Sequence, residues 1–190
     1  MTAAGTAFEL ETQPDIADPG LRSLYEHWCD LAAAAGGLPL LQSFDPSHLP
    51  ALLPNVWMVE VVPYTHRFRM RLTGEKINLI YGRNITGQYF RDVFEAADVD
   101  RIVARYARAL GEPAIFHASG SVYAAGNRKS VGERIGLPMV GRSGGTDTLL
   151  GATVYRERPD STAPVLLTQD QPQFHRLRIG NHRRVEIAGG

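Results

Sequence analysis

The stretch from residue 66 to residue 94 decides the fold of this chain, and it reads HRFRMRLTGEKINLIYGRNITGQYFRDVF. It opens with three apolar side chains that alternate with arginines, namely Phe68, Met70 and Leu72. This period of two predicts a half-buried β-strand, which Thr73-Gly74 ends. A short helix follows, and its apolar face consists of Ile77, Ile80 and Tyr81. We expect this helix to end at Gly82 and a polar turn to run from there to Gly87.

Composition indicates an ordinary globular chain of 190 residues, with 44% hydrophobic and 21% charged residues. Lys plus Arg (20) balance Asp plus Glu (20), so net charge favours neither nucleic acid nor an anionic membrane as a partner. The single cysteine, Cys29, excludes an internal disulfide and any multi-cysteine metal site. The sequence has neither a membrane-length apolar run nor a signal peptide, so we predict a cytoplasmic protein.

Three segments divide the chain: an N-terminal arm and flanking helix (1–37), a main domain (38–157) and a C-terminal extension (158–190). The arm before Pro19 has no periodicity and is predicted to be loose. The helix over residues 20–35 has one apolar stripe, formed by Leu21, Leu24, Tyr25, Trp28, Leu31, Ala32 and Ala35. Either the main domain or a second copy of the chain must cover this stripe.

The main domain has five strand patterns, at residues 56–62, 67–72, 114–123, 131–140 and 146–156. Several helices lie between the second and third, and the clearest runs from 95 to 110. Short turns imply antiparallel pairing, so we predict an α+β fold in which helices cover one face of a five-stranded antiparallel sheet. One continuous core is expected from Phe68, Met70, Leu72, Ile77, Ile80, Val103 and Tyr106.

The order of these motifs resembles the PAS domain, and more narrowly the short, stand-alone PAS proteins of bacteria. The matching residues are Asp45-Pro46, Leu52-Leu53-Pro54, Arg71-Leu72-Thr73-Gly74, Gly82–Gly87, Leu137-Pro138-Met139 and Leu149–Ala152. The resemblance covers about residues 21–155 and implies the spatial strand order 2-1-5-4-3. It also implies a non-enzymatic signalling module that binds a small molecule, a partner protein or both, and acts in trans. PAS domains often pair through a flanking helix, so a homodimer is expected.

A ligand site is expected beside the polar turn. Arg83 and Asn84 are the predicted polar anchors, and four side chains are predicted to line the apolar part, namely Met58, Met70, Ile77 and Tyr81. Arg71 is a weaker candidate because alternation points it away from Leu72. In the alternative interpretation, the glycines only permit a positive φ and Arg83 pairs with a nearby acid.

The cofactor is left unknown. In flavin-binding photosensors of the PAS class a reactive cysteine follows the Gly-Arg-Asn turn, but here Ile85 occupies that place and Cys29 lies in another element. Flavin adduct chemistry is therefore excluded, because it requires a thiolate beside the ring. Haem is disfavoured because the 95–110 helix has no histidine, although His117 on the next strand offers a possible ligand. No metal site is predicted.

An enzyme in a related α+β fold remains an alternative, with Glu60 or Glu133 paired to Tyr81 or Tyr123. A second alternative is a purely structural protein-interaction domain whose cavity is filled by side chains. We predict no catalytic residues, because a second carboxylate, a Ser-His-Asp order and a metal-spaced cluster are all lacking. The tail resembles a small hairpin of residues 174–179 and 183–187 with a basic face. A solvated or docked hairpin is favoured over a nucleic-acid contact, because no aromatic platform accompanies the charges.

Overall fold

The computed structural model describes residues 8–65, 67–125, 128–156, 165–167 and 172–179, and its fold is α+β as predicted. The strands are β1 (Phe8–Leu10), β2 (Val56–Val62), β3 (Arg67–Thr73), β4 (Ala114–Ala125), β5 (Arg128–Met139), β6 (Thr148–Tyr155), β7 (Val165–Leu167) and β8 (Gln173–Ile179). The helices are α1 (Pro19–Ala35), α2 (Glu75–Tyr81), α3 (Phe90–Val93) and α4 (Ala96–Gly111). Three short 3₁₀ turns span Leu41–Ser43, Pro46–His48 and Leu53–Asn55.

All the strands belong to one antiparallel sheet in the order β1-β8-β4-β5-β6-β2-β3, with β7 also paired to β4. The five predicted strands, β2 to β6, therefore lie in the order 2-1-5-4-3 read from β3. The predicted number of five strands was too low, because β8 pairs with β4 and β1 pairs with β8. These additions continue the ladder beyond β4, whose backbone would otherwise present an unpaired edge.

The two faces of the sheet carry different helices. Helices α2, α3 and α4 cover one face, here called the inner face, where they enclose an aromatic-rich core. Helix α1 packs on β5 and β6 across the opposite face, here called the outer face. The 74–110 helical segment thus covers one face as predicted, and of the two predicted covers for the α1 stripe the structure shows the main domain. Four side chains of the α1 stripe are buried against its own sheet, namely Leu21, Leu24, Trp28 and Ala32.

The two ends of α1 are fixed by local hydrogen bonds. The Asp18 side chain accepts hydrogen bonds from the backbone amides of Gly20 (2.8 Å) and Leu21 (3.0 Å), the usual role of an N-cap residue. Gly36 adopts a left-handed conformation (φ 66°) and ends the helix. In the middle, the Trp28 indole donates a 3.0 Å hydrogen bond to the Pro138 carbonyl on β5. Helix α1 is thus both capped and anchored to the sheet within one chain.

A β-bulge in β3 changes the predicted alternation. Met58 pairs with Leu72 and Val59 pairs with Met70, so Arg71 has no partner on β2. As a result Arg71 and Leu72 both lie on the outer face, and Leu72 is 45% exposed. The prediction that Leu72 belongs to the core was wrong. The remainder of that core is confirmed, with Val103 partly buried beside the buried residues Phe68, Met70, Ile77, Ile80 and Tyr106.

Both ends of the described chain are more ordered than the sequence indicates. The predicted loose arm contains strand β1 and the buried side chain of Ile16, while residues 1–7 lie outside the described residues. The first half of the predicted tail hairpin is strand β8, and its second half, residues 183–187, lies outside the described residues. Within the described ranges, no helix combines the length and the apolar character needed to cross a membrane.

Candidate ligand and partner sites

The inner face encloses a small cavity between the sheet and helices α2 and α4. Its volume is about 20 Å³, and its lining consists of Trp57, Met70, Ile77, Tyr81, Phe94, Tyr106, Tyr123 and Arg134. A cavity of this size holds about one water molecule. The space between sheet and helices is therefore nearly filled by side chains.

Stacked aromatic rings account for this filling. The Trp57 ring stacks on Tyr106 with centroids 5.7 Å apart, and Tyr106 stacks on Phe116 at 5.5 Å. Such offset pairs contribute roughly 0.5–1.5 kcal/mol beyond the area that they bury. Burial raises the pKa of both Tyr81 and Tyr106, so their hydroxyl groups stay neutral near pH 7. The inner face is a neutral aromatic core with little free volume.

One charged side chain enters this core. Arg134 on β5 is only 1% exposed, and its Nε donates to Thr153 Oγ1 at 2.7 Å. Its guanidinium carbon lies 4.9 Å from the centroid of the Tyr123 ring, a cation–π distance. The Nη1 atom is buried and has no hydrogen-bond partner in the part of the chain that the structure describes. Sequence reasoning missed Arg134 because both faces of β5 are buried, so alternation gives no signal there.

The six predicted ligand residues lie in three separate places. Met70, Ile77 and Tyr81 line the inner cavity together, whereas Met58 lies on the outer face. Arg83 and Asn84 lie in the turn after α2, and neither lines the inner cavity or the outer groove described below. Their role as ligand-binding residues stays a prediction.

The hydrogen bonds of the turn are local. Arg83 donates to the Gln88 side chain and to the Asp92 carbonyl, the latter at 2.6 Å. The Asn84 side chain accepts from the Thr86 amide at 2.9 Å. Arg83 therefore donates to neutral oxygens, one just after the turn and one in α3, where the alternative interpretation expected a nearby acid. In this arrangement both side chains stabilise the turn.

The predicted acid–base pairs are not formed. Glu60 and Glu133 lie on the outer face, while Tyr81 and Tyr123 lie on the inner face, so the sheet separates them. His117, the possible haem ligand, also points away from the inner cavity, because its Nε2 lies 2.6 Å from Glu133 Oε1 near the start of α1. The structure thus places neither of the two glutamates nor His117 in the inner cavity.

The outer face carries a much larger site, because α1 covers β5 and β6 but leaves the β2–β3 side open. The resulting outer groove has a volume of about 1220 Å³. Its floor consists of Val56, Met58, Glu60, Arg69, Arg71 and Leu72. The segment 40–46 and the turn at 140–144 form its walls. This groove was not predicted, since its three parts are far apart in sequence.

A charged network lies on the floor of the outer groove. Glu60 Oε1 accepts from Arg69 Nε (2.9 Å) and Nη2 (2.5 Å), and Glu60 Oε2 accepts from Arg71 Nη1 (2.9 Å). Burial by itself raises the pKa of Glu60, but the hydrogen bonds and charges of the two arginines outweigh it and leave the pKa below its usual value. One ionised carboxylate therefore binds two guanidinium groups.

The comparisons with known proteins agree with this architecture. Residues 16–154 match the family model described as a PAS domain, from just before α1 almost to the end of strand β6. The searches of curated proteins and of solved structures returned no match. PAS domains are in general sensory and signalling modules. Since the match covers well over half of the 190 residues and the order of the sheet agrees, the chain belongs to the PAS-domain family.

Proposed function

We propose that this PAS domain is a cytoplasmic signalling module that acts in trans, by binding a partner protein in the outer groove. The contrast between the two sites carries the proposal. The inner cavity measures about 20 Å³, whereas the outer groove measures about 1220 Å³. Small-molecule pockets usually measure roughly 300–1,000 Å³, so the first is too small for a ligand and the second suits a larger partner.

Exposed apolar side chains support the choice of the outer groove. Leu40 is 41% exposed on its wall and Leu72 is 45% exposed on its floor. Isolated exposed leucines are common, but two beside a groove form a surface that a partner can bury. A signalling domain that works through protein contact needs a surface of this kind.

The chemistry of the inner cavity gives no support to an enzyme. Neither a carboxylate nor a histidine is among the described residues that line it. In the outer groove, Glu60 is paired with two arginines, and its low pKa makes it a poor general base. The arrangement supports binding, which agrees with the usual role of PAS domains.

Site-specific photo-crosslinking in the source cells tests the proposal. A photoreactive phenylalanine at position 72 probes the outer groove, and the same residue at position 79 is the matched control. Leu79 is a leucine of equal exposure (47%) on α2, and it does not line the groove. We expect one reproducible protein adduct from position 72 and none from position 79. Adducts of equal yield from both positions, or none from position 72, would contradict a partner site in the groove.

Arg134 favours a second candidate function, the sensing of a small molecule on the inner face. Its Nη1 atom is buried without a partner in the described part of the chain, and it lines the inner cavity. A ligand with an acceptor oxygen would satisfy this group if the aromatic side chains moved apart. Native mass spectrometry tests this candidate. An extra mass that disappears on denaturation would support it. A native mass equal to that of the bare chain would argue against it.

A further inference from the structure

The charge of the outer groove differs from that of the whole chain. The chain has 20 basic and 20 acidic residues, so its net charge is zero. The described lining of the groove has one acid, Glu60, and three arginines, namely Arg69, Arg71 and Arg142. The groove therefore has an excess of two positive charges beside apolar walls. A partner of complementary charge is anionic.

The floor of the groove also shows which anionic group fits. Arg69 and Arg71 already bind a carboxylate, that of Glu60, with N–O distances of 2.5–2.9 Å. Arg71 uses only Nη1 in this contact, and its other N–H groups have no partner among the described residues. Guanidinium groups bind carboxylates through paired N–H donors. Arg71 can thus donate to a second carboxylate while it keeps its hydrogen bond to Glu60.

The bulge in β3 places the apolar and charged contacts side by side. Because Arg71 has no partner on β2, Arg71 and Leu72 are consecutive residues that both face the groove. Leu40 on the wall is exposed as well. A ligand that contacts Arg71 with a carboxylate therefore meets an exposed leucine next to it.

We propose that the outer groove binds a polypeptide segment of a partner protein that carries Asp or Glu next to large apolar side chains. The carboxylate binds Arg71, and the apolar side chains cover Leu40 and Leu72. A polypeptide fits better than a small anion because the groove exceeds the usual volume of a small-molecule pocket and is open to solvent. This inference rests on the proposed function and names the chemistry of its partner.

Selection from a random peptide library on the immobilised full chain tests the inference. We expect the selected peptides to be rich in Asp and Glu beside apolar residues. Fluorescence anisotropy then measures their affinity for the parent and for four variants, namely Arg71→Met, Glu60→Gln, Leu72→Ser and the control Arg67→Met. Arg71→Met should weaken binding about tenfold or more, which corresponds to about 1.4 kcal/mol. Glu60→Gln should strengthen binding, because it removes the one negative charge in the described lining of the groove, which repels an incoming carboxylate.

Two matched controls accompany these measurements. Arg67→Met removes an exposed arginine of the same strand that does not line the groove, and we expect no change in affinity. Peptide analogues with Asn and Gln in place of Asp and Glu should bind as weakly to the parent as the original peptides bind to Arg71→Met. Circular dichroism checks that every variant is folded.

The outcomes separate the inference from the proposed function. In one outcome, Leu72→Ser weakens binding of the peptides but replacement of the peptides' carboxylates does not. That result would overturn the inference and leave the groove as a partner site. Peptides that are insensitive to both Leu72→Ser and Arg71→Met would contradict the inference and the proposed function together. Binding of dodecanoate in the groove, without binding of any selected peptide, would overturn the polypeptide partner in favour of a lipid-like anion.

Discussion

At the residue scale, Arg71, the one residue of β3 without a partner on β2, determines which face of the sheet the later side chains of β3 lie on. Before the bulge, Phe68 and Met70 point into the inner core while Arg69 points to the outer groove. After Arg71 the alternation is shifted by one position, so Leu72 joins the groove. Two apolar residues that are two positions apart in sequence thus have opposite roles.

This difference predicts unequal effects of two matched substitutions. Met70 is 5% exposed, so Met70→Ala should lower the free energy of unfolding by about 2–5 kcal/mol through the lost contacts and the cavity left behind. Leu72 is 45% exposed, so Leu72→Ala should change it by less than about 0.5 kcal/mol. Urea denaturation followed by circular dichroism measures both. Equal losses would mean that Leu72 is buried and that the bulge is absent.

At the element scale, a buried carboxylate attaches the start of α1 to the sheet. Glu133 on β5 accepts hydrogen bonds from the amides of Ala17 (2.9 Å) and Asp18 (2.7 Å), and its Oε1 lies 2.6 Å from His117 Nε2. Burial by itself raises the pKa of Glu133, but these hydrogen bonds outweigh it and leave the pKa below its usual value. The ionised form therefore stabilises the docked helix.

Glu133→Gln should lower the free energy of unfolding at pH 7 by roughly 1.5–3 kcal/mol, because hydrogen bonds to a charged group contribute about that much. Glu112→Gln is the control: Glu112 is 56% exposed and pairs with the exposed Arg176, so about 0–1 kcal/mol is expected. Denaturant unfolding of the two variants and the parent provides the comparison. A loss as large for Glu112→Gln would argue against a special role of Glu133.

The same region predicts that acid destabilises the fold. Burial and the nearby His117 lower the pKa of His175, so the unfolded chain binds this proton more readily and stability falls as the pH drops below about 6.5. The lowered pKa of Glu133 adds a second loss as the pH falls through that folded pKa, since the unfolded carboxylate is protonated first. We expect Tm to fall steadily from pH 7 to pH 4. A Tm that rises on acidification would contradict this assignment.

At the scale of the whole molecule, the sheet has a full helical layer on one face and a partial one on the other. Helix α1 buries the stripe that the sequence offered for dimerisation, so a homodimer through Leu24, Trp28 and their neighbours would first require α1 to leave the sheet. The homodimer through the N-terminal helix stays a prediction, while the buried part of the stripe packs on the sheet of its own chain. The part of the outer face that α1 leaves open is the outer groove.

This placement predicts the result of a charge in the α1 stripe. Trp28 is 1% exposed, so Trp28→Asp should destabilise the chain by about 3–5 kcal/mol or more, because it removes a large core side chain and buries a carboxylate. Ser23→Asp puts the same side chain on the exposed side of α1 and should leave Tm nearly unchanged. Thermal unfolding and light scattering measure stability and mass. A folded monomer of Trp28→Asp from a dimeric parent would show that the stripe is intermolecular.

Local sequence patterns determined most of the fold. Alternation predicted β3, and β-rich runs between turn residues predicted β2, β4, β5 and β6. The stripes over residues 20–35 and 95–110 predicted α1 and α4, because such patterns depend on near neighbours in sequence. The resemblance to PAS domains supplied the strand order, which the sheet confirms. Strand β1 escaped prediction because three residues are too few to show a period.

Tertiary structure alone decided where the outer groove and the inner cavity lie. The outer groove brings together the 40–46 segment, β2, β3 and the 140–144 turn, and no local pattern reports such a meeting. The bulge at Arg71 arises from pairing with β2, so it is invisible in the sequence of β3. The small inner cavity likewise depends on how Trp57, Tyr106 and Phe116 stack. Each depends on contacts between distant residues, which sequence periodicity does not record.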